Sequence, residues 1–329
     1  MRQTRIMLAC AIATTVVFSL HVSAQPSGDN WPSSRPVTIV NPFTPGAVTD
    51  IEGRLYAQKL SENTGKSFIL DYKPGAGAMV GAGFVAKAPA DGHTLLIATS
   101  GLTIAPLIFD NLGFDPLKDI AYVSMMTKRA PPLVANPKFP PNNGAEYIAY
   151  ARANPGKINF GTSGATGAGH LSMQLLHQLT NTKVTFIHYK GGGPTQTAVM
   201  SGEVDVIISS VIGARGIVKS GKVKVIAMLS AQRTPAMPGV PTMAEQTVSS
   251  WEYPAWLGIA TTGATPVATL NRINAELVKV ARDPVLAEKL ADDASLMIGN
   301  TRQEFTQFVN GEAARWAKLV KDLGIKLEP

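Results

Sequence analysis

The feature of this chain that most limits its fold is an alternation of short apolar runs with helix-like stretches. The runs are rich in β-branched residues and continuous, as expected of strands buried on both faces. They fall at 36–40, 67–71, 94–99, 157–161, 184–189, 204–209, 223–229 and 257–260. Stretches with helical spacing lie between them at 51–63, 170–179 and 194–200. The alternation predicts an α/β fold with largely parallel sheets.

Capping patterns mark where several helices begin. Thr49 with Glu52, and Thr301 with Glu304, match the capping box, in which each side chain bonds to the backbone of the other residue. Thr265 and Asp283 each precede a proline, which suits an N-cap followed by proline at the first helical position. We therefore expect helices to begin at these four places.

The N-terminus has the composition of a secretory signal peptide. Arg2 and Arg5 precede an apolar run, and small residues up to Ala24 provide a cleavage site. The run is shorter than the roughly 20 apolar residues of a membrane-spanning helix. We predict a cleaved signal peptide at 1–24 and export of the rest. Cys10 leaves open the alternative of a lipoprotein anchor.

Removal of the leader leaves about 300 residues, enough for two domains with cores of their own. The chain has one cysteine, and it lies in the leader, so the exported protein would have no disulfide and no thiol chemistry. The net charge of +7 loses only two arginines with the leader, and the remaining excess favours anionic ligands. Because lysine and arginine form no block or stripe, we predict no nucleic-acid binding.

Two proline-rich passages, at 125–141 and 233–250, bracket a central block that also has the α/β pattern. The simplest arrangement is a first lobe of 27–127 plus 247–329, with a second lobe of 128–246 inserted into it. An inserted lobe requires two connections between the lobes and leaves a cleft between them, which suits capture of a ligand.

Three loops shaped by glycine and proline, each between a predicted strand and a predicted helix, are the best candidates for a binding site. They are 41–50, 161–170 and 189–198, and the second holds four glycines and three hydroxyl side chains. A helix N-terminus presents unpaired N–H groups and a positive dipole end, so it can hold a carboxylate or phosphate without a basic side chain. Ligands of open α/β sheets lie at this edge. The alternative is that these loops are ordinary turns into capped helices.

The second loop also raises the possibility of a serine hydrolase, with Ser163 as nucleophile and His170 as base. The nucleophile elbow requires Gly-x-Ser-x-Gly, however, and its fifth position is Ala165 here. We therefore predict that the protein is not an enzyme.

Cofactor and metal motifs are missing from the sequence. The glycines of 73–81 are spaced one residue too far apart for a dinucleotide fingerprint, and no acidic residue follows at the required distance. We interpret this segment as a turn that leads into a packed helix. The histidines at 93, 170, 177 and 188 form no zinc-binding pattern, so we expect them to be hydrogen-bonded or exposed. No cofactor is predicted.

Short motifs at seven places match one family in the same order along the chain. The first two are 35–40 and Pro42-Phe43-x-Pro45-Gly46-x-x-x-Asp50, and the others are 73–77, 90–96, 189–192, 202–205 and 238–242. Together they resemble the solute receptors of tripartite tricarboxylate transporters, also called Bug proteins. The resemblance covers essentially the whole chain after the leader.

The resemblance implies a type II periplasmic-binding-protein fold, in which two α/β lobes close over a ligand. It also implies a periplasmic monomer that delivers a carboxylate to a two-component membrane permease driven by an ion gradient. The alternative partner is the periplasmic domain of a sensor kinase. In such proteins the ligand carboxylate is held mainly by backbone amides and water.

The resemblance also implies which residues contact the ligand. They are Phe43, Thr44, Gly46, Ala47 and Asp50 in the first loop and Ser163, Gly164, Thr166, Gly167, His170, Lys190, Gly191 and Thr195 in the second lobe, with Ser100, Asp205, Ser209 and Ser210 at neighbouring strand ends.

Ala47 and Val48 follow Gly46 where the family commonly has a second glycine, which makes this wall more apolar. This departure favours a bulkier or aromatic acid. Candidate ligands are aromatic carboxylates such as terephthalate or phthalate, dicarboxylates, tricarboxylates such as citrate, and nicotinate-type acids.

Overall fold

The computed structural model describes residues 31–322 apart from positions 47, 108, 110, 165–167, 190, 250 and 254. The predicted signal peptide at 1–24, with Cys10, lies outside the described residues. None of the helices in the described part is both long and apolar enough to cross a membrane.

The described residues contain eleven strands. They are β1 (Val37–Asn41), β2 (Phe68–Tyr72), β3 (Thr94–Thr99), β4 (Ile120–Arg129), β5 (Pro132–Ala135), β6 (Asn159–Thr162), β7 (Thr185–His188), β8 (Val206–Ile208), β9 (Lys224–Met228), β10 (Trp256–Thr262) and β11 (Ser295–Met297).

Eleven α-helices connect these strands or follow them in the described chain. They are α1 (Val48–Thr64), α2 (Met79–Ala86), α3 (Gly101–Ile104), α4 (Gly144–Ala153), α5 (Ala168–Leu179), α6 (Gly192–Ser201), α7 (Val211–Lys219), α8 (Met243–Gln246), α9 (Val267–Ala281), α10 (Pro284–Ala291) and α11 (Arg302–Asp322).

The strands form two sheets, one in each lobe. The first has the order β11-β4-β10-β3-β1-β2 and the second has the order β7-β6-β8-β5-β9. The predicted α/β class is confirmed, but the sheets are mixed, because β10 is antiparallel to both of its neighbours and so is β5. These two strands are the ones by which the chain enters each sheet from the other lobe. They start at the edge where β1, β3, β6 and β8 end, so they run in the opposite direction.

The proline-rich passage 125–141 contains the end of β4 and all of β5, a strand that the apolar pattern did not predict. Proline is tolerated because Pro132 is the first residue of its strand, where a missing N–H costs little. The carbonyls are still used: that of Pro132 accepts from the Ser209 N–H (3.0 Å) and that of Pro131 accepts from the Leu229 N–H (2.9 Å).

Two of the four helix-start patterns are confirmed. The one at Thr265 is wrong, because α9 begins after Pro266 and no side chain caps its N-terminus. At α11 the Thr301 N–H donates to Glu304 (2.8 Å), and the Glu304 N–H donates to the Thr301 hydroxyl (3.2 Å). Asp283 accepts from the third residue along, as an N-cap should (2.9 Å). The pattern of Thr49 and Glu52 is not a capping box. Glu52 instead points into the core, where buried partners compete successfully with the helix terminus.

Apolar clusters lie on both faces of the first sheet, and the last helix connects the two lobes. Phe305 of α11 packs in the first lobe against one of these faces. Trp316, further along the same helix, is buried in a cluster made mostly of second-lobe residues. The chain crosses between the sheets at 129–132 and again between 228 and 256. The boundaries at 127 and 247 remain predictions.

Candidate functional site

A cavity of about 400 Å³ lies between the lobes. It is lined by the residues that follow β1, β3 and β4 in one lobe and β6 and β8 in the other, together with those that precede β5 and β10. Because the carboxyl ends of parallel strands meet at one edge of a sheet, both sheets present their loops and helix N-termini to the same space.

Eight of the seventeen predicted ligand-binding residues line this cavity. They are Phe43, Gly46, Ser100, Ser163, Gly164, His170, Ser209 and Ser210. The described residues Thr44, Asp50, Gly191, Thr195 and Asp205 lie outside its lining. Ala47, Thr166, Gly167 and Lys190 lie outside the described residues.

Asp50 supports the first loop from behind. Its carboxylate accepts from the Gly46 N–H (2.8 Å), from Arg54 Nε (2.7 Å) and from the Tyr72 hydroxyl (2.6 Å). Burial alone would raise the pKa of Asp50, but these three bonds outweigh it and hold the pKa below its ordinary value of 3.8. The charge therefore orders the loop around Gly46, whose φ of +84° favours glycine.

Three of the other residues outside the lining also have structural contacts. The Thr195 hydroxyl donates to the Gly191 carbonyl (2.7 Å), which fixes the loop before α6. The carboxylate of Asp205 accepts from the Asn159 N–H (2.7 Å). Asp205 precedes β8, so it lies at the edge of the sheet away from the cavity. Because these three residues lie outside the cavity lining, we do not expect them to contact a ligand in the cavity.

The second-lobe loop is held by a hydroxyl–imidazole contact. Thr162 Oγ1 lies 2.6 Å from His188 Nδ1 and donates to the Gly164 carbonyl (3.2 Å). The ring of His170, which lines the cavity, lies 4.8 Å from that of His188. Burial lowers the pKa of His188, which favours its neutral form at pH 7. The backbone at Gly164 has a φ of +153°, which side chains disfavour.

Thr49 was proposed only as a cap, yet it has the properties of a binding residue. It lies in the first turn of α1, lines the cavity and is 6% exposed. Its hydroxyl has no hydrogen-bond partner among the described residues. A buried hydroxyl without a partner costs about 1–3 kcal/mol, so its place on the cavity lining suits a ligand that bonds to it.

Arg129 is the functional residue that sequence reasoning missed most clearly. Among the described residues that line the cavity it is the sole lysine or arginine, and no aspartate or glutamate lines it there. It ends β4, a strand that the apolar pattern did not reveal. Gly77 was also missed, because its segment was interpreted as packing alone. The available sequence signal for Arg129 was its position two residues before the pair Pro131-Pro132.

The N-terminus of α7 also faces the cavity, but a protein carboxylate already occupies part of it. Asp293, from the first lobe, accepts from the Ile212 N–H of α7 in the second lobe (2.8 Å). Its other oxygen accepts from Arg129 Nη2 (3.2 Å). Arg215 of α7 also forms an exposed ion pair with Asp292 (3.2 Å). These contacts hold the two lobes together beside the cavity.

The donor set suits an organic anion. It consists of backbone amides, hydroxyls and one guanidinium set among apolar side chains such as Phe43, Ile208 and Leu257. In the part of the chain that is described, no group of three or more His, Cys, Asp or Glu side chains could hold a metal ion.

Comparison with known proteins agrees with this geometry. Residues 53–325 match the model of the tripartite tricarboxylate transporter family receptor. BugT from Bordetella pertussis is 28% identical over 330 residues, which cover 100% of each chain.

Two solved structures with bound ligands are similar throughout. An R. palustris protein with adipate is 31% identical, with a TM-score of 0.83 over 90% of this chain and 99% of its own. MatC from Rhodopseudomonas palustris with bound malate is 28% identical, with a TM-score of 0.81 over 88% and 99% of the two chains. The predicted periplasmic-binding-protein fold is thereby confirmed. The chain belongs to the tripartite tricarboxylate transporter receptor family, that of the Bug solute-binding proteins.

Proposed function

We propose that this receptor captures a small carboxylate in the periplasm and delivers it to a two-component permease driven by an ion gradient. The observation that carries the proposal is the cavity itself: both lobes supply donors to it, and the sole full charge on its described lining is the positive one of Arg129. Similar proteins have adipate and malate bound. Adipate and malate are both dicarboxylates.

The mechanism is capture by closure of the two lobes. One ligand carboxylate docks at the N-terminus of α1, beside the hydroxyl of Thr49, in the first lobe and around Ser163 and Gly164 in the second. Because donors of both lobes reach the ligand only when the lobes are together, the ligand binds the closed state more tightly and shifts the population towards it. The closed, loaded form is the one that the permease engages.

The ligand class follows from the wall between these donors. Val48 and Ile51 add apolar surface to the first-lobe side of the cavity. This surface favours an acid with an apolar body, such as terephthalate, phthalate or a straight-chain dicarboxylate, over a compact hydroxy acid such as citrate.

A thermal-shift screen against a library of such acids tests the proposal, since a ligand held by the native state alone raises the melting temperature. A library without a single stabilising carboxylate would overturn it. Ester hydrolysis that disappears in Ser163→Ala would instead favour a hydrolase, because Ser163 and His170 line the same cavity.

Substitutions in the second-lobe loop test the site. Ser163→Ala should weaken binding of the best acid severalfold and leave the fold intact, and Gly164→Leu should weaken it more, because a side chain there disfavours a φ of +153°. Ser220→Ala is the matched control, because Ser220 is exposed at the far end of α7. Equal affinity in all three variants would place the pocket elsewhere.

A further inference from the structure

Arg129 lies where the cavity meets the connection between the lobes. It is the last residue of β4, and Pro132 begins β5 of the other sheet three residues later. Its N–H donates to the Ala255 carbonyl (2.8 Å), so both crossings of the chain meet at this residue. Its side chain is 13% exposed, and the residue lines the cavity. We call this end of the cavity, where the chain crosses between the lobes at 129–132 and next to Ala255, the hinge end.

Side chains behind the wall fix the guanidinium but leave it capacity for another acceptor. Its Nε donates to the Ser295 hydroxyl (3.2 Å) and its Nη2 donates to Asp293 (3.2 Å), while Glu52 lies 3.5 Å from Nε. No hydrogen bond from Nη1 to any described residue is present. An arginine can donate five N–H groups, so this pattern accommodates a further carboxylate.

Asp293 is the carboxylate to which the guanidinium is hydrogen-bonded among the described residues. Glu52 lies nearby, but its two oxygens accept from the hydroxyls of Thr127 and Ser295. Glu52 is buried, and this burial raises the pKa of its carboxyl group against the opposing charge of Arg129. Tyr253, which lines the cavity, feels the same guanidinium: burial raises the pKa of its hydroxyl, and Arg129 opposes that rise.

The hinge end is separated from the glycine loop of the second lobe by an apolar surface. The loop at Ser163 and Gly164 follows β6, and β5 starts at the hinge, with β8 between them in the sheet. Two strand spacings of about 4.8 Å place these ends about 10 Å apart. Ile208, the last residue of the intervening strand, lines the cavity between them.

We propose that Arg129 forms a second acid-binding subsite at the hinge and selects dicarboxylates whose two acid groups are separated by an apolar body. The inference rests on the proposed function. The first carboxylate binds at the N-terminus of α1 and the glycine loop of the second lobe, the apolar body lies over Ile208, and the second carboxylate binds the guanidinium. Arg129 is then the residue that distinguishes a diacid from a monoacid of the same length.

Calorimetric titration with matched pairs of acids tests the subsite. The pairs are adipate with hexanoate and terephthalate with 4-methylbenzoate. We expect the unmodified protein to bind the diacid of at least one pair about tenfold to hundredfold more tightly than its monoacid, as for a charge-assisted hydrogen bond. In Arg129→Gln that preference should fall to about twofold or less, with monoacid affinity retained.

Arg233→Gln is the matched control, because Arg233 forms an exposed ion pair with Glu245 away from the cavity lining. It should leave the preference unchanged. Arg129→Lys keeps the charge but loses the fork, so it should retain an intermediate preference. If Arg129→Gln does not fold, Arg129→Lys and the monomethyl ester of the preferred diacid on the unmodified protein decide the question.

The outcomes separate the two proposals. A protein that binds diacids and monoacids equally, or a variant that loses both equally, would overturn the role of Arg129 while leaving carboxylate capture intact. A protein that binds none of the acids in the thermal-shift library would overturn the proposed function itself.

Discussion

Replacement of Asp293 by asparagine should weaken ligand binding even though Asp293 does not line the cavity. Its carboxylate accepts from the Ile212 N–H of the opposite lobe (2.8 Å) and from Arg129 (3.2 Å). The bond to Ile212 joins the two lobes, so it stabilises the closed state and not an open one. Asparagine keeps the shape and one acceptor oxygen but removes the charge.

The expected magnitude follows from that lost charge. A hydrogen bond to a charged group contributes about 1.5–3 kcal/mol and a neutral one about 0.5–1.5 kcal/mol, so the closed state should lose about 1–1.5 kcal/mol. The removal of a negative charge from the N-terminus of α7 acts in the same direction. Since about 1.4 kcal/mol corresponds to tenfold in affinity, Kd should rise about tenfold.

The assay is calorimetric titration of Asp293→Asn and Asp292→Asn with a monocarboxylate, so that the altered charge balance at Arg129 does not contribute. Asp292 is the neighbouring residue, and its ion pair with Arg215 also joins the lobes, but both side chains are largely exposed. An exposed pair contributes about 0–1 kcal/mol, so the change in Kd should be small. Equal affinities of the two variants, or no change in Asp293→Asn, would refute the reasoning.

Substitutions at three further positions have expected results. Thr49→Val should weaken carboxylate binding about tenfold. It should not lower the melting temperature of the ligand-free protein, because the buried hydroxyl has no partner to lose. Thr49→Ser keeps the hydroxyl and should retain binding. Asp50→Asn should destabilise the protein at pH 7 in urea unfolding. Since the pKa of Asp50 is lowered in the folded protein, the difference should begin to shrink as pH falls below about 3.8 and vanish only below the folded-state pKa. Burial lowers the pKa of His177 from 6.5 to about 4, so the unfolded chain takes up a proton before the folded protein does as pH falls. The free energy of unfolding should therefore drop by up to about 3 kcal/mol between these two pH values. His177→Gln should lack this drop.

Much of the fold could be predicted from the sequence because strand formation in an α/β protein leaves a local signal. The continuous apolar runs of β1, β3 and β8 are buried in the sheets, and each was expected within two residues of where it lies. The patterns at Thr301 and Asp283 are equally local, since an N-cap bonds to residues three positions away. β5 was missed because the pair Pro131-Pro132 at its start is typical of loops. Whether a strand tolerates proline there depends on its position in the sheet, which the local sequence does not show.

The candidate site, like the fold, has parts that the sequence predicts and parts that it does not. The sequence by itself determined that glycine-rich loops follow β1 and β6, because composition and spacing record which loops leave backbone amides exposed. Only the tertiary structure decided that Arg129 is the charge on the cavity lining and that Asp293 occupies the N-terminus of α7. The physical reason is that both roles depend on partners brought close by two crossings of the chain, since Ile212 is 83 positions from Arg129 and 81 from Asp293. No spacing along the chain encodes such a contact.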